Sequence, residues 1–304
     1  MHGIQKIFLD EDGGLRSGWR VAVFLFFYSL MVGVLAVGMG SMRGALGPGE
    51  ATPSHMHWLW SSLLGLVVAL IVGWQCGKWL EGLPFRLLGA SFRGRWLSHL
   101  LVGLIAGAST VIFAVAIAFA FGGERFVSNI DSGSENVVIS MLVSLAVFAI
   151  AAAAEEALFR GYILQTLDRA GFAWLAVVLT SVFFGFVHLG NPSAGLFSTL
   201  NTILAGIWFS VAYLRFRDLW FVSGMHCAWN WVQGSVFGIE VSGMREITEH
   251  TLLREIDTGP TWLTGETYGI EGGIAATIAI VFSTTLIVFI KRDPVSDLPE
   301  APSV

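Results

Sequence analysis

Two adjacent carboxylates, Glu155 and Glu156, stand inside a run of apolar residues that extends from about Asn136 to Leu167. Within its inner part only Arg160 adds another full charge. If the run crosses a bilayer, insertion scales put each buried charge at roughly 2.5–3.5 kcal/mol, so a functional site is the default reading of the pair. Glu156 and Arg160 are four apart and share a helix face, where they can neutralise each other. Glu155 points about 100° away. This arrangement leaves one carboxylate structural and the other free for chemistry, although a purely structural ion pair would produce the same pattern.

Two more polar positions interrupt apolar stretches downstream. His188 follows Phe184 by four in FGFVH, and His226 precedes Asn230 by four in HCAWN. Histidine is rare inside a membrane and marks a pathway, a relay or a catalytic group. A buried glutamate can deprotonate water. A neighbouring histidine can orient that water. A second histidine with an asparagine can donate hydrogen bonds to a developing oxyanion. The set suffices to hydrolyse an amide without a serine or cysteine nucleophile. Glu155, His188 and His226 are also acceptable ligands for a divalent metal such as zinc, but the HExxH spacing of zinc peptidases is absent. The blander readings are a helix-end His188 and a His226–Asn230 pair that glues helices together. Phe184, Cys227 and Trp229 read as packing.

These residues need helices to hold them level. Of the 304 residues 55% are apolar and only 13% charged, with a mean hydropathy of +0.71. This excludes an ordinary soluble domain, and several stretches reach the roughly 20 apolar residues that cross a bilayer. The expected fold is an all-α polytopic bundle of about eight spans forming a single membrane domain over residues 1–304. The spans are placed at about 19–39, 58–80, 100–121, 136–167, 173–189, 196–214, 220–237 and 270–290. Turn signals at Pro48 and Pro53, a polar loop at 122–135 and a long acidic segment at 238–269 separate them. The stretch 83–92 mixes apolar and basic residues and would lie on the membrane surface. The first 18 residues are polar, so no cleavable signal peptide is expected.

Cys76 and Cys227 lie in apolar runs with no metal-type spacing and read as small buried residues. The net charge of −5 points to no nucleic-acid partner. Most of the 17 basic residues fall in segments that an eight-span topology puts on one side, Lys6, Arg20, Arg160, Arg169, Lys291 and Arg292 among them. The positive-inside rule then places both termini in the cytoplasm of a multi-pass cell-membrane protein. Depth is consistent too: Glu155 lies 15 residues before Ala170 and His188 18 after it, about 22 and 27 Å from the turn. His226 and Asn230 would sit about 14 and 20 Å from the next turn near Arg217.

The ordered motifs Glu155-Glu156-x-x-x-Arg160, Phe184-x-x-x-His188 and His226-x-x-x-Asn230 resemble those of the CPBP intramembrane proteases. That family includes the type II CAAX prenyl endopeptidases and bacteriocin-processing and abortive-infection proteins. The motifs occupy a core region of residues 137–235. The resemblance implies that Glu155 activates water with help from His188, that His226 and Asn230 stabilise the oxyanion, and that Glu156 and Arg160 support them. It implies a peptide or protein substrate at the bilayer, lipidated in the eukaryotic relatives, which release a C-terminal tripeptide from prenylated proteins. Nothing in the sequence marks a prenyl-binding groove. The family has been described both as metalloproteases and as metal-independent glutamyl proteases. Two other classes remain open: a non-enzymatic immunity factor or partner-binding scaffold that keeps the motifs, and a transporter using the carboxylates as a proton relay. No inverted repeat supports the latter.

Overall fold

The computed structural model describes residues 5–45, 55–92, 94–130, 134–244 and 250–290. Eight principal helices follow one another: α1 (Ser17–Ala45), α2 (His55–Glu81), α3 (Trp96–Ala120), α4 (Ser134–Glu156), α5 (Ala173–Val187), α6 (Leu196–Phe216), α7 (Leu219–Trp231) and α8 (Ile274–Phe289). Helix α4 runs on through a π-helical turn, Ala157–Ile163, into a last α turn, Leu164–Arg169. Among the described residues, six helices are long and apolar enough to cross a membrane, and α8 is a shorter apolar helix. The all-α polytopic class therefore holds, while two of the eight expected spans are shorter than the sequence implied. Helix α7 has 13 α-helical residues before it widens into a second π turn, Val232–Val236. Helix α8 begins at Ile274, because Ile270–Gly272 forms a 3-10 turn.

Large apolar side chains face outward from nearly every long helix, Phe26, Val37 and Ile105 among them. Lipid rather than water satisfies such a surface, and the interior must then be held by close backbone packing and polar contacts. Gly103 and Gly107 on α3 supply that packing. A Cβ at Gly103 would lie 2.1 Å from the carbonyl oxygen of Phe221, and one at Gly107 would lie 2.0 Å from that of Met225. Gly224 on α7 meets the Leu100 carbonyl in return. Small residues four apart thus let α3 and α7 touch backbone to backbone and fix where His226 stands. Gly206 on α6 similarly presses against Ser181 of α5.

One end of the bundle is tied by charges. Glu81 at the end of α2 pairs with Arg169 at 2.9 Å and with Arg20 of α1 at 3.7 Å. Arg217 pairs with Asp168, and His99 of α3 meets Asp218 at 2.7 Å. Arg20, Arg169 and Arg217, three of the basic residues assigned to one side, share these contacts, whereas Arg160 is fully buried among helices. Lys291, Arg292, Arg93, Arg245, Pro48 and Pro53 lie outside the described residues.

The other end departs furthest from expectation. The two stretches read as structureless loops pair as an antiparallel ribbon, β1 (Glu124–Ser128) with β2 (Leu253–Asp257), in the register Phe126 opposite Glu255. Between α7 and α8 the chain folds back over the bundle as a cap. Gly243, at φ +78°, sits so close to Pro192 that a Cβ would lie 2.0 Å from its carbonyl oxygen. The Gly243 amide donates to the Tyr268 carbonyl at 3.0 Å.

Candidate active site

The four residues expected to do chemistry line one cavity of about 120 Å³: Glu155, His188, His226 and Asn230. They come from α4, the end of α5, and α7. The looser depth match expected for His226 closes in three dimensions. The Nε2 atoms of His188 and His226 each lie 3.9 Å from Oε2 of Glu155. That oxygen is buried without a hydrogen-bond partner, although the Glu155 side chain as a whole is 36% accessible.

The second carboxylate is sealed away. Glu156 and Arg160 are both fully buried, and Arg160 donates to Glu156 Oε1 at 3.1 Å. Its guanidinium Nε also donates to Ser210 Oγ at 3.4 Å and its Nη2 to the Gly206 carbonyl at 2.9 Å. Its Cζ lies 5.0 Å from the Phe184 ring and 5.3 Å from the Phe209 ring, within cation–π range. A charge kept from water needs such pairing to persist, and here it falls on one carboxylate oxygen only, since Oε2 of Glu156 is buried without a hydrogen-bond partner. Phe184 is therefore more than filler: its ring covers the guanidinium and its carbonyl receives His188 Nδ1 at 2.7 Å.

These contacts fix both imidazoles. A carbonyl oxygen only accepts, so Nδ1 of His188 carries the proton, and its Nε2 presents a lone pair to Glu155 when the ring is neutral. Nδ1 of His226 lies 2.9 Å from Glu156 Oε1, an oxygen that already receives Arg160, so Nδ1 is again the protonated nitrogen. Phe209 stacks on the His226 ring at 4.7 Å and 21°. Asn230, one turn beyond His226, faces the same cavity.

The backbone beneath this site is not a regular α-helix. In the π turn, Leu164 donates to Phe159, five residues back, and the Arg160 carbonyl instead accepts from Gln165 Nε2 at 3.0 Å. Such widened turns recur at functional sites. Simple periodicity does not reveal this one; Gly161 and the side-chain amide of Gln165 are the only local signals.

A further carboxylate escaped the sequence reading. Glu271, just before α8, lines the cavity. Its Oε1 accepts from Trp229 Nε1 at 2.9 Å, and its Oε2 accepts from the Ser242 amide at 2.8 Å and hydroxyl at 2.7 Å. Asn201 of α6 holds the same segment by donating to the Glu271 and Gly273 carbonyls. Trp229, expected only to pack, thus ties the cap to α7. Glu271 was hidden because it sits at the start of an apolar run and belongs to no motif.

The donor set Glu155, His188 and His226 is chemically suited to zinc. Two ligands at about 2.0 Å in a tetrahedron are about 3.3 Å apart, and the separations here are 3.9 Å. Among the described residues no group of three His, Cys, Asp or Glu could hold a metal ion. The arrangement as it stands is a water-sized gap between a carboxylate and two imidazoles rather than a closed metal centre.

Residues 137–232 match the family model described as Rce1-like, type II CAAX prenyl endopeptidase. That stretch runs from α4 to the end of α7 and contains every motif on which the resemblance rests. That stretch of the chain is thus similar to this protease family, and it lies in a bundle with six helices long and apolar enough to cross a membrane among the described residues. No curated protein matches the chain.

Proposed function

We propose that the protein is an intramembrane endopeptidase in which Glu155 is the general base. The observation that carries this reading is the buried, unpartnered Oε2 of Glu155 facing the Nε2 atoms of His188 and His226 at 3.9 Å each. A water at about 2.8 Å from Glu155 and from His188 bridges that gap with ordinary hydrogen-bond lengths. It donates one hydrogen to Oε2 and the other to the bare Nε2 of His188, and so points a lone pair at the substrate.

The peptide carbonyl carbon takes the water oxygen while Glu155 takes the proton. The carbonyl oxygen becomes an oxyanion and receives hydrogen bonds from His226 Nε2 and the Asn230 carboxamide. Collapse breaks the C–N bond, Glu155 passes its proton to the departing amine, and a carboxylic acid and an amine leave. His226 already donates Nδ1–H to Glu156, so donation from Nε2 requires an imidazolium. Two carboxylates, one guanidinium and one imidazolium then sum to zero within the membrane interior, as burial demands. Glu156 and Arg160 are positioning residues in this scheme, and no metal takes part in any step. The substrate is a peptide or protein at the membrane, presented to a site with both termini of the enzyme in the cytoplasm.

The test is cleavage of membrane-proximal and prenylated peptide libraries by the protein reconstituted in bilayer discs, with and without a chelator. Glu155→Gln is expected to lower kcat by about 10²–10⁴-fold, and the chelator to leave the wild-type rate unchanged. Normal cleavage by Glu155→Gln would overturn the assignment of the base. Loss of wild-type activity to the chelator would return the three side chains to a metal.

A further inference from the structure

Three tryptophans in and beside the cavity spend their indole N–H inside the protein. Trp208 donates to Ser283 Oγ at 3.0 Å, Trp229 to Glu271 Oε1 at 2.9 Å and Trp231 to the Met141 carbonyl at 3.0 Å. Trp58 is different. Its Nε1 is buried and has no hydrogen-bond partner among the described residues. The same side chain lines the cavity that holds Glu155, and it packs on the buried cluster that includes Val147, Phe148 and Val241. A buried indole N–H ordinarily finds an acceptor.

The two helices that carry Trp58 and Glu155 fix the distance between them. A Cβ at Gly65 of α2 would lie 4.0 Å from that of Ala154, and one at Gly73 would lie 3.6 Å from that of Tyr162. Helices α2 and α4 therefore run side by side in the same direction and in step. Counting back places Ser62 beside Ala151 and Trp58 beside Val147 and Phe148, and all five line the cavity. Phe148 and Glu155 are seven residues apart on α4, about 10 Å of helix. An extended peptide covers that length in about three residues. The cavity is thus a trough with the candidate base at one end and an unspent neutral donor at the other.

We propose, resting on the protease reading above, that Trp58 is a substrate-binding residue whose Nε1–H donates to a main-chain carbonyl oxygen about three residues from the scissile bond. Nε1 is shielded from water, as Glu155 Oε2 is, so each is completed by a peptide seated between the walls. The contact reads the backbone, which every sequence shares. It sets which linkage stops over Glu155 and leaves side-chain preference to the rest of the lining. Trp58 acts by placing the chain and takes no part in the proton transfers.

The experiment takes a peptide that wild type cleaves from the membrane-proximal libraries and replaces one linkage at a time, on either side of the cleavage point, by an (E)-alkene or an ester. The alkene removes both the carbonyl acceptor and the N–H, whereas the ester removes only the N–H. Wild type, Trp58→Phe and Glu155→Gln are assayed in bilayer discs. At one linkage about three residues away, the alkene is expected to lower wild-type kcat/KM by about threefold to tenfold, the worth of one neutral hydrogen bond. The loss is expected in KM, and the ester is expected to cost less. Trp58→Phe is expected to lose the same factor on the parent peptide and nothing further on the alkene, the non-additivity of two partners in one contact. If Trp58→Phe does not fold, the wild-type scan carries the test. No sensitive linkage in that scan, or an undiminished alkene penalty in Trp58→Phe, overturns the role of Trp58 and leaves the protease standing. Cleavage of no library member by wild type, or normal cleavage by Glu155→Gln, overturns the protease reading and this one with it.

Discussion

His226 Nδ1 and Glu156 Oε1 are 2.9 Å apart inside a fully buried cluster, and Arg160 binds the same oxygen from the other side. The contact decides which ring nitrogen reaches the cavity. It also assigns the pair of glutamates different tasks, since Glu156 holds a donor and Glu155 faces the gap. Removing the imidazole with His226→Ala is expected to cost about 10²–10³ in kcat, with KM changed little, because the ring acts on charge that exists only in the transition state. Steady-state kinetics on any cleaved peptide measure both constants, and a purely raised KM would count against the role.

Arg160 has no access to water and answers one carboxylate. Arg160→Met leaves Glu156 buried without its guanidinium and with only the His226 Nδ1 donor, a loss on the order of 3–5 kcal/mol. Thermal unfolding in detergent is expected to show a large fall in Tm. The double variant Glu156→Gln/Arg160→Met removes both charges and is expected to regain most of that stability without regaining activity. A double variant as unstable as the single one would mean that the ring contacts, not the ion pair, carry the cost.

Helix α7 owes its placement to two missing side chains. Gly107→Val puts a Cβ 2.0 Å from the Met225 carbonyl oxygen, beside His226, and must push α7 off α3. Activity is expected to be lost and Tm lowered. Gly18→Val, at a glycine with nothing within 4 Å of its Cβ position, is the matched control and is expected to keep both. Equal behaviour of the two variants would remove the backbone contact from the account.

Glu124 in β1 lies outside the spans, is fully buried and has no partner for either oxygen. Burial, and next the facing Asp257, push its carboxyl up to about 8. The folded protein therefore holds a proton that the unfolded chain releases near its ordinary pKa. Stability is highest at acid pH and declines as pH rises from about 4.5 toward 8. The slope approaches 1.4 kcal/mol per pH unit for one such group. Glu124→Gln is expected to flatten the fall of Tm between pH 5 and 8. An unchanged slope would place the titration elsewhere.

The parts of the site that could be read from sequence were those that offend the membrane. Glu155, Glu156, His188 and His226 stand out because an apolar run has few reasons to contain them. Gly103 and Gly107 are ordinary letters in such a run, and only the partner helix shows why no Cβ fits. The cap was illegible for a different reason. Ser242, Trp229 and Glu271 are joined by contacts across 29 and 42 residues, and no local period encodes a fold-back of that kind. Arg160 misled the topology count because a basic residue near a span end looks the same whether it snorkels to the surface or turns inward to a carboxylate. The short α7 was masked by Trp231, Val232, Val236 and Phe237, which carry the apolar signal across its π turn beyond the α-helix.

The π turn at Ala157–Ile163 makes α4 two rotors on one shaft. A wedge of one extra residue advances everything beyond it by about 100° relative to an unbroken helix. Upstream, the phase is set by Glu155 and Glu156 facing α5 and α7. Downstream it is set by Gln165 and Thr166, which grip the Leu88 carbonyl and Glu81 at 2.9 Å each. Shortening the turn by a single residue would re-index one half against the other, leaving the chemistry aligned or the charged end docked, but not both.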